Sequence, residues 1–442
     1  MLFYQLGLKE ERTTKSLLAS FCIIPNMKLS TINYRSLSID LLQGLGIALL
    51  FSFFIYAEHY GFTYDLLNSV TAIGAFYFLL KAPRSVVVSA GGFIGLLWFY
   101  WIGYSFEYYH VGWMIPLITL FFMLLYALFF GVSTVSDNPL YRGAILFGLS
   151  YVEPMDWNWL QMELPFINTV FGVDKWQYGL ILLALSLFLF LEQEKKWRKF
   201  RFGALVLLSG ALSFSTPQLS EPDLKIKLYA STILQEEKWV KKNRPQIIAD
   251  NLKVITGAIE EKYDLVVLPE STFPLFLNKN RHLIMMLKNY SHHIDIITGA
   301  LYIESGLHYN VSYHFSKGKM QIAKKMILVP FGEYIPLPEF IRAWVNTTFF
   351  DGASDFVTAK QPSDFTVKGI KFRNAICYEA TCEEIYENEP KYLVAMSNNG
   401  WFHPSIEPTL QKLLMHFYAK KHNSIIYHSA NRGGTGIIRG DQ

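Results

Sequence analysis

The strongest constraint on the fold is a series of apolar segments that fills the first half of the chain. A membrane-spanning helix needs about 20 mostly apolar residues. Seven stretches approach that length, at residues 38–57, 64–81, 85–105, 112–132, 140–152, 176–192 and 200–216. The sequence therefore predicts an α-helical transmembrane bundle of about seven spans over residues 36–216.

The loops between these segments predict which side of the membrane each end faces. Loops rich in Lys and Arg alternate with loops that carry few or none, and the loop 195–201 holds five cations. Short basic loops are enriched on the cytoplasmic side. Seven spans from a cytoplasmic amino terminus would place the chain beyond residue 217 outside the cytoplasm. We expect a multi-pass membrane protein with its second domain outside the cytoplasm.

Residues 1–35 are predicted to form a cytoplasmic N-terminal tail. The apolar run at residues 17–25 is short and lacks the small-residue cleavage site of a signal peptide. The second methionine, Met27, leaves two interpretations open: either residues 1–26 are a tail, or translation begins at Met27.

The second half of the chain has the pattern of a layered α/β domain. Residues 217–223 contain two prolines and are predicted to be a linker. Over residues 224–442, short β-branched runs alternate with helical stretches, as in α/β folds. Strands are expected at residues 226–234, 265–268, 294–298, 311–315, 372–376, 392–397 and 424–428, and helices at 244–262 and 279–290.

Three residues of complementary chemistry lie beside predicted strand ends or shaped loops in this domain. Glu270 follows one apolar run, Cys377 ends another, and Lys325 precedes a loop with two prolines and a glycine. A free thiol has a pKa of about 8.5, so a nearby base must take its proton as it attacks. An ammonium favours both the thiolate and a developing oxyanion. Alone, each residue has an ordinary interpretation as a turn carboxylate, a surface lysine or a small buried side chain.

The order Glu, Lys, Cys resembles the carbon–nitrogen hydrolase, or nitrilase, superfamily over about residues 225–440. The stretches that carry the resemblance are Leu-Pro-Glu270-Ser, Pro330-Phe-Gly-Glu333-Tyr, Ile376-Cys377-Tyr-Glu379 and Ser397-Asn-Asn-Gly-Trp401-Phe. It implies a nitrilase-like αββα sandwich in which Glu270 is the general base, Lys325 stabilises the oxyanion and Cys377 is the nucleophile. Glu333 either orients Lys325 or the acceptor, or bonds backbone amides of its own loop.

A membrane domain of about seven spans, followed by a nitrilase-like domain, resembles the arrangement of the apolipoprotein N-acyltransferases. The resemblance implies transfer of an acyl chain from a phospholipid, through a cysteine thioester, to the N-terminal amine of a diacylated apolipoprotein at the lipid bilayer, without metal or cofactor. It also implies a bacterial inner membrane, with the catalytic domain on the periplasmic side. The implied supporting or substrate-binding residues are Glu333, Glu379, Tyr378, Trp239, Asn310 and Trp401. Trp239 and Trp401 either line a groove for an acyl chain or headgroup, or pack in the core.

Three further features have open interpretations. The apolar segment 335–356 is either a lid that dips toward lipid or part of the domain core. Cys382 is either a free structural thiol or a partner for Cys377 in a disulfide. The resembling family usually continues with more strands and a last span, and more often has Asn-Asn-Gly or Asn-Thr-Gly where this chain has Arg432-Gly-Gly.

Two other functions remain open from the sequence. One is a membrane-anchored amidase or nitrilase-like hydrolase, in which water replaces the acceptor amine, and the other is a catalytically inactive membrane binding protein. A net charge of +4 without a basic stripe argues against nucleic acid. Three cysteines without zinc-type spacing provide neither a metal site nor a disulfide framework.

Overall fold

The computed structural model describes residues 34–213, 219–330, 332–334 and 356–441. Most of the predicted tail, the start of the predicted linker, and residues 335–355 of the predicted lid lie outside the described residues. The predictions for these segments therefore stay predictions.

Helices build the first half of the described chain. They are α1 (Tyr34–His59), α2 (Asp65–Lys81), α3 (Arg84–Phe99), α4 (Ile115–Val132), α5 (Pro139–Leu149) and α6 (Lys175–Gln193). A 3₁₀ segment, Tyr100–Tyr109, continues α3, and two one-turn helices, Arg201–Ala204 and Leu207–Gly210, follow α6. The predicted helical membrane domain is thus present.

Four of the described helical stretches are long and apolar enough to cross a bilayer. They are Leu37–His59, Arg84–Tyr108, Gly112–Val135 and Lys175–Gln193, which match the first, third, fourth and sixth predicted spans. The second predicted span is the 17-residue α2, the fifth is the 11-residue α5, and the seventh contains the two one-turn helices. The count of about seven spans stays a prediction.

The basic loops gather at one end of this bundle. Lys81 and Arg201 both lie near the carboxylate of Glu192, at 4.0 and 3.8 Å. Arg142, at the start of α5, donates a hydrogen bond of 2.6 Å to the carbonyl oxygen of Ala82. The loop between α2 and α3, the loop before α5 and the basic loop after α6 therefore share this end.

Residues from 219 onward contain two β-sheets. The first has the order β1-β2-β4-β5-β6, with β3 also paired to β4, and the second has the order β11-β10-β9-β8-β7. The first-sheet strands are β1 (Ile226–Leu228), β2 (Leu265–Val267), β3 (Phe273–Phe276), β4 (Asp295–Glu304), β5 (Leu307–Ser316) and β6 (Lys319–Lys324). The second-sheet strands are β7 (Asp364–Val367), β8 (Ile370–Ile376), β9 (Tyr392–Asn398), β10 (Ile425–Asn431) and β11 (Gly436–Arg439).

The two sheets stack face to face between layers of helices. Side chains of both sheets, such as Val267 and Met396, share one buried cluster. Helices α7 (Arg244–Glu260) and α8 (Arg281–Tyr290) cover the outer face of the first sheet. Helix α9 (Glu407–His422) covers the second sheet and belongs to the same apolar cluster as the membrane helices. The domain is an αββα sandwich, as the sequence predicts.

The α/β domain rests on the end of the bundle that lies opposite the basic loops. Lys412 of α9 pairs with Glu58 at the end of α1 (3.2 Å). Asn158, in the loop between α5 and α6, donates a hydrogen bond of 2.7 Å to the carbonyl oxygen of Thr381. Polar contacts and a shared apolar cluster thus join the two domains.

Within the bundle, α3 and α4 approach most closely at two glycines of α3. A Cβ atom added at Gly91 or Gly95 would lie 2.4 Å from the carbonyl oxygen of Tyr126 or Phe122 respectively. Small residues spaced four apart let membrane helices pack backbone against backbone. The contact between α3 and α4 therefore depends on the absence of a side chain at these positions.

We expect Gly95→Ala to lower the thermal unfolding temperature of the detergent-solubilised protein, because the new methyl group forces α3 away from α4. Overpacking of this kind costs about 1–3 kcal/mol. Gly46→Ala in α1 is the matched control, since nothing lies within 4 Å of its Cβ position. Equal unfolding temperatures for the two variants would contradict the close contact.

Candidate active site

Cys377 lies at a sharp turn directly after β8. It begins the 3₁₀ segment Cys377–Thr381 and has a φ of +57°, a left-handed conformation that non-glycine residues adopt mainly under local constraint, often at functional sites. The amide Nε2 of Gln411, on α9, donates to its Sγ at 3.6 Å. Burial raises the pKa of the thiol, as does the Glu270 carboxylate, and the Lys325 ammonium lowers it less. The thiol therefore needs a base to become reactive.

Glu270 lies in the turn that follows β2 and is buried, with 8% of its surface exposed. Its Oε1 accepts a hydrogen bond of 2.7 Å from the side-chain amide of Asn310. Its backbone carbonyl oxygen accepts a hydrogen bond of 3.0 Å from Lys238 Nζ. The turn lies so close to β4 that a Cβ atom at Gly299 would be 2.7 Å from the Cα of Glu270. Backbone packing therefore determines where this carboxylate lies.

Lys325 is the first residue after β6, and its backbone amide donates to the carbonyl oxygen of Asn310 at 2.9 Å. Its side chain is 1% exposed, and its Nζ lies 2.6 Å from Oε2 of Glu333. Desolvation lowers the pKa of Lys325, but the carboxylates of Glu333 and Glu270 outweigh it and raise the pKa overall. The lysine is therefore a buried ammonium whose charged form the neighbouring carboxylates favour.

Asn310 and Glu333 link the charged groups of the site. The Asn310 amide donates to Glu270 Oε1 and, at 3.2 Å, to Glu333 Oε1. Glu333 Oε2 also accepts from the backbone amide of Val329 at 2.9 Å, so Glu333 both orients Lys325 and bonds its own loop. Hydrogen bonds and the Lys325–Glu333 ion pair thus connect Glu270 with Lys325, and both charges influence the pKa of the Cys377 thiol. The structure brings Glu270, Lys325 and Cys377 together, whereas their catalytic roles stay predictions.

Glu379 joins the chain segments that carry Lys325 and Cys377. Its Oε1 accepts from the backbone amides of Met326 and Ile327, and its Oε2 accepts from the amide of Ile376 at 2.7 Å. Burial raises the pKa of Glu379 to about 7, although the Lys325 ammonium and these amides oppose the shift. Glu379 is thus a positioning residue that ties the end of β6 to the end of β8.

Tyr378 and Trp401 contact the membrane domain. The Tyr378 ring stacks on the rings of Trp157 and Trp159, at centroid distances of 5.6 and 6.2 Å. The Trp401 ring meets that of Tyr108 edge-on at 5.5 Å. Trp239 is half-buried at the end of the one-turn helix Gln235–Lys238. Contact of these side chains with substrate stays a prediction.

Cys382 is a buried thiol at the domain junction, separate from Cys377. Its Sγ donates to the carbonyl oxygen of Tyr378 at 3.3 Å and accepts from the Asn158 amide at 3.4 Å. Both thiols are free. The arrangement favours the interpretation of Cys382 as a structural thiol.

Two further ionisable side chains lie near the site, Lys238 and Glu407, and the sequence did not predict either of them. Both are 1% exposed. Burial lowers the pKa of Lys238 to about 8, although Glu270 and Cys377 act in the opposite direction. Burial, with a smaller effect of Glu270, raises the pKa of Glu407 to about 8. Glu407 lies on α9 one turn before Gln411, whose side chain contacts Cys377. This spacing is the only sequence signal that could have connected Glu407 with Gln411 and so with the site.

Comparison with known proteins gives consistent results over most of the chain. Residues 38–213 match the family model of the apolipoprotein N-acyltransferase integral membrane domain. A protein of Wolinella succinogenes named apolipoprotein N-acyltransferase is 43% identical over 401 residues, which are 90% of this chain and 96% of that protein. A protein of the same name from Helicobacter pylori is 38% identical over 372 residues, covering 83% of this chain and 86% of that protein.

A solved CN-hydrolase superfamily protein from Xanthomonas campestris covers 48% of this chain and 77% of its own, with 14% identity and a TM-score of 0.37. A similarity of this size supports no statement about the fold, which rests on the strand order and layers described above. The relatives of high identity are sufficient for assignment, because they match both the helical bundle and the α/β domain. The chain belongs to the apolipoprotein N-acyltransferase family.

Proposed function

We propose that this membrane acyltransferase moves an acyl chain from a phospholipid to the N-terminal amine of a diacylglyceryl-modified apolipoprotein, through a thioester on Cys377. The observation that carries the proposal is the connected group of Glu270, Asn310, Glu333 and Lys325, which Glu379 ties to the Cys377 turn in a domain whose apolar core is continuous with the membrane helices. Acyl chains hold both substrates in the bilayer at about 0.8 kcal/mol per buried CH₂, so an enzyme that acts on them must work at the membrane surface.

In the first half-reaction, Glu270 takes the proton of the Cys377 thiol as the sulfur attacks an ester carbonyl of the phospholipid. The carbonyl oxygen becomes an oxyanion, which the buried Lys325 ammonium stabilises. The ester C–O bond then breaks, and the leaving alkoxide receives the proton from Glu270. The products are the thioester and a lysophospholipid.

In the second half-reaction, the acceptor amine attacks the thioester carbonyl. An ammonium must first release a proton to solvent, because only the neutral amine has a free electron pair. As the C–N bond forms, Glu270 takes a second proton from the nitrogen, and the C–S bond breaks. That proton returns to the sulfur, which regenerates the thiol and leaves an amide on the acceptor.

We further propose that the α/β domain lies on the periplasmic side of an inner membrane, on a bundle that the chain traverses seven times. The domain contacts the end of the bundle opposite the basic loops, and basic loops are enriched on the cytoplasmic side. After the loop 195–201, residues 201–213 run back along α6. Gly172 and Ala211 then join by a backbone hydrogen bond of 2.9 Å at the α/β-domain end. These features support the proposed orientation.

We expect Cys377→Ser to form no detectable acyl-enzyme with a phospholipid that carries a radiolabelled acyl chain, because a serine hydroxyl is much less acidic than a thiol. The measurement is protein-bound label after denaturation, with and without hydroxylamine, which cleaves thioesters. Cys382→Ala is the control and should label like the wild type. Labelling of Cys377→Ser at the wild-type level would remove Cys377 as the nucleophile.

Lys325→Ala should reduce turnover at least about 100-fold, the effect of losing one oxyanion donor. The neighbouring Lys324 provides the control, since it is partly exposed and pairs with Glu304 at 2.7 Å, and Lys324→Ala should keep near-normal turnover. Removing one partner of a buried pair costs about 3–5 kcal/mol of stability, because Lys325→Ala leaves the Glu333 carboxylate without its cation. The double variant Lys325→Ala/Glu333→Gln removes that lone charge and tests whether the loss of turnover persists. Near-normal turnover of either Lys325 variant would exclude Lys325 from the mechanism.

Thioester formation should slow as the pH falls below about 7, because Glu379 then takes up a proton. Its raised pKa means that the carboxylate form, which accepts all three backbone amides, dominates only above this value. Single-turnover rates between pH 5.5 and 8.5 measure the effect. Glu379→Gln should be slower and should lose this acidic limb. An unchanged limb in Glu379→Gln would assign it to another group.

A further inference from the structure

Helix α9 brings a hydrogen-bond donor to the sulfur of Cys377. The side-chain amide Nε2 of Gln411 lies 3.6 Å from Sγ, and among the residues that the structure describes it is the one donor to this atom. The next residue, Lys412, pairs with Glu58 of the bundle at 3.2 Å, and α9 belongs to the same apolar cluster as the membrane helices. The donor is therefore held by a helix that both domains fix in place.

The amide of Gln411 is fully buried, and only one of its two ends is hydrogen-bonded. Gln411 is 0% exposed, and its Oε1 has no hydrogen-bond partner within the described ranges. A buried acceptor without a partner lowers stability, and an apolar side chain of the same length would avoid this cost. Packing alone therefore does not account for an amide at this position, whereas its contact with Cys377 does.

The surroundings of Cys377 disfavour a negative charge on its sulfur. Burial raises the pKa of the thiol, and three carboxyl groups raise it further, those of Glu270, Glu407 and Glu333. Lys325 acts in the opposite direction, but its Nζ already pairs with Glu333 at 2.6 Å, and the proposed mechanism places its ammonium at the carbonyl oxyanion. A thiolate at this turn therefore needs a hydrogen-bond donor of its own.

We propose that Gln411 is a further catalytic residue, whose amide N–H stabilises the negative charge that develops on Cys377 Sγ in both half-reactions. This inference rests on the proposed function and adds a residue to it. In the first half-reaction, the sulfur becomes partly negative as the thiol proton passes to Glu270 and the S–C bond forms. In the second, the breaking C–S bond returns its electron pair to the sulfur before the proton comes back from Glu270. Gln411 donates a hydrogen bond in both steps and transfers no proton.

The contact between Gln411 and the sulfur is strongest where it lowers the barrier. A hydrogen bond to a charged acceptor is about twice as strong as one to a neutral acceptor. The sulfur is neutral in the thiol and in the thioester, and it becomes negative only while its bond to hydrogen or carbon is breaking. An interaction that is stronger in the transition state than in the ground state accelerates the reaction. Only the NH₂ end of an amide can donate to a negative sulfur, and this end faces Sγ.

The test is Gln411→Met, which keeps the length of the side chain and removes the donor. Thioester formation with a phospholipid and aminolysis of the preformed thioester by a diacylated lipopeptide are measured as separate single-turnover rates. Each rate should fall about tenfold, the effect of losing one hydrogen bond to a charged group. Gln246→Met, at an exposed position of α7, is the matched control and should keep the wild-type rates. Gln411→His, which offers a ring N–H at similar reach, should recover most of the lost rate.

A second measurement needs no lipid substrate. Alkylation of Cys377 by iodoacetamide, followed by mass spectrometry of its peptide, should slow about tenfold in Gln411→Met, because the reagent reacts with the thiolate. The thermal unfolding temperature of this variant should not fall, since methionine leaves no buried acceptor unpaired.

Two results would overturn the role of Gln411 as a donor: rates of Gln411→Met that match those of Gln246→Met, or a Gln411→His variant as slow as Gln411→Met. If alkylation slows as expected but no thioester forms with phospholipid in the wild type, the proposed function fails while the donor contact at the sulfur stands.

Discussion

The rest of the site depends on the ion pair between the buried Lys325 ammonium and the Glu333 carboxylate. A charge that is 1% exposed is tolerated only with close counter-charges, and Glu333 at 2.6 Å supplies the nearest one. Asn310 then connects Glu333 to Glu270. Glu270, Lys325 and the loop that carries Glu333 therefore form one connected unit, and none of them can be repositioned without leaving a charge unpaired.

The sequence predicted the framework of the molecule well where side-chain patterns are strong. Apolar runs predict the most apolar membrane helices and the layered α/β domain, whereas the αββα order of the layers and the roles of Glu270, Lys325 and Cys377 come from the family resemblance, and those roles stay predictions. Strands β3, β6, β7 and β11 were not predicted: β6 is a polar edge strand, and the other three have only four residues each. Helix α9 was missed because its buried residues surround most of its circumference, which removes the amphipathic pattern that marks a surface helix.

The features of the site that the sequence did not predict depend on contacts between distant parts of the chain. Lys238 and Glu407 have no local motif that distinguishes them from surface charges, and only folding brings them beside Glu270 and Cys377. The sequence predicts Tyr378 as a supporting residue, but no pattern in it indicates that the ring stacks on Trp157 and Trp159. Such placements depend on how the two domains dock, and docking leaves no periodic signal in either half.

The stacking of Tyr378 on Trp157 and Trp159 has a consequence for how the enzyme can be divided. Tyr378, directly after Cys377, is held by aromatic rings of the bundle, and α9 shares its apolar cluster with the same bundle. A water-soluble fragment cut after residue 218 would expose both surfaces and lose the support of the strained Cys377 turn. The lipid-embedded half is thus part of the catalytic scaffold as well as its anchor, and grafting the sandwich onto a foreign anchor would not reconstitute it.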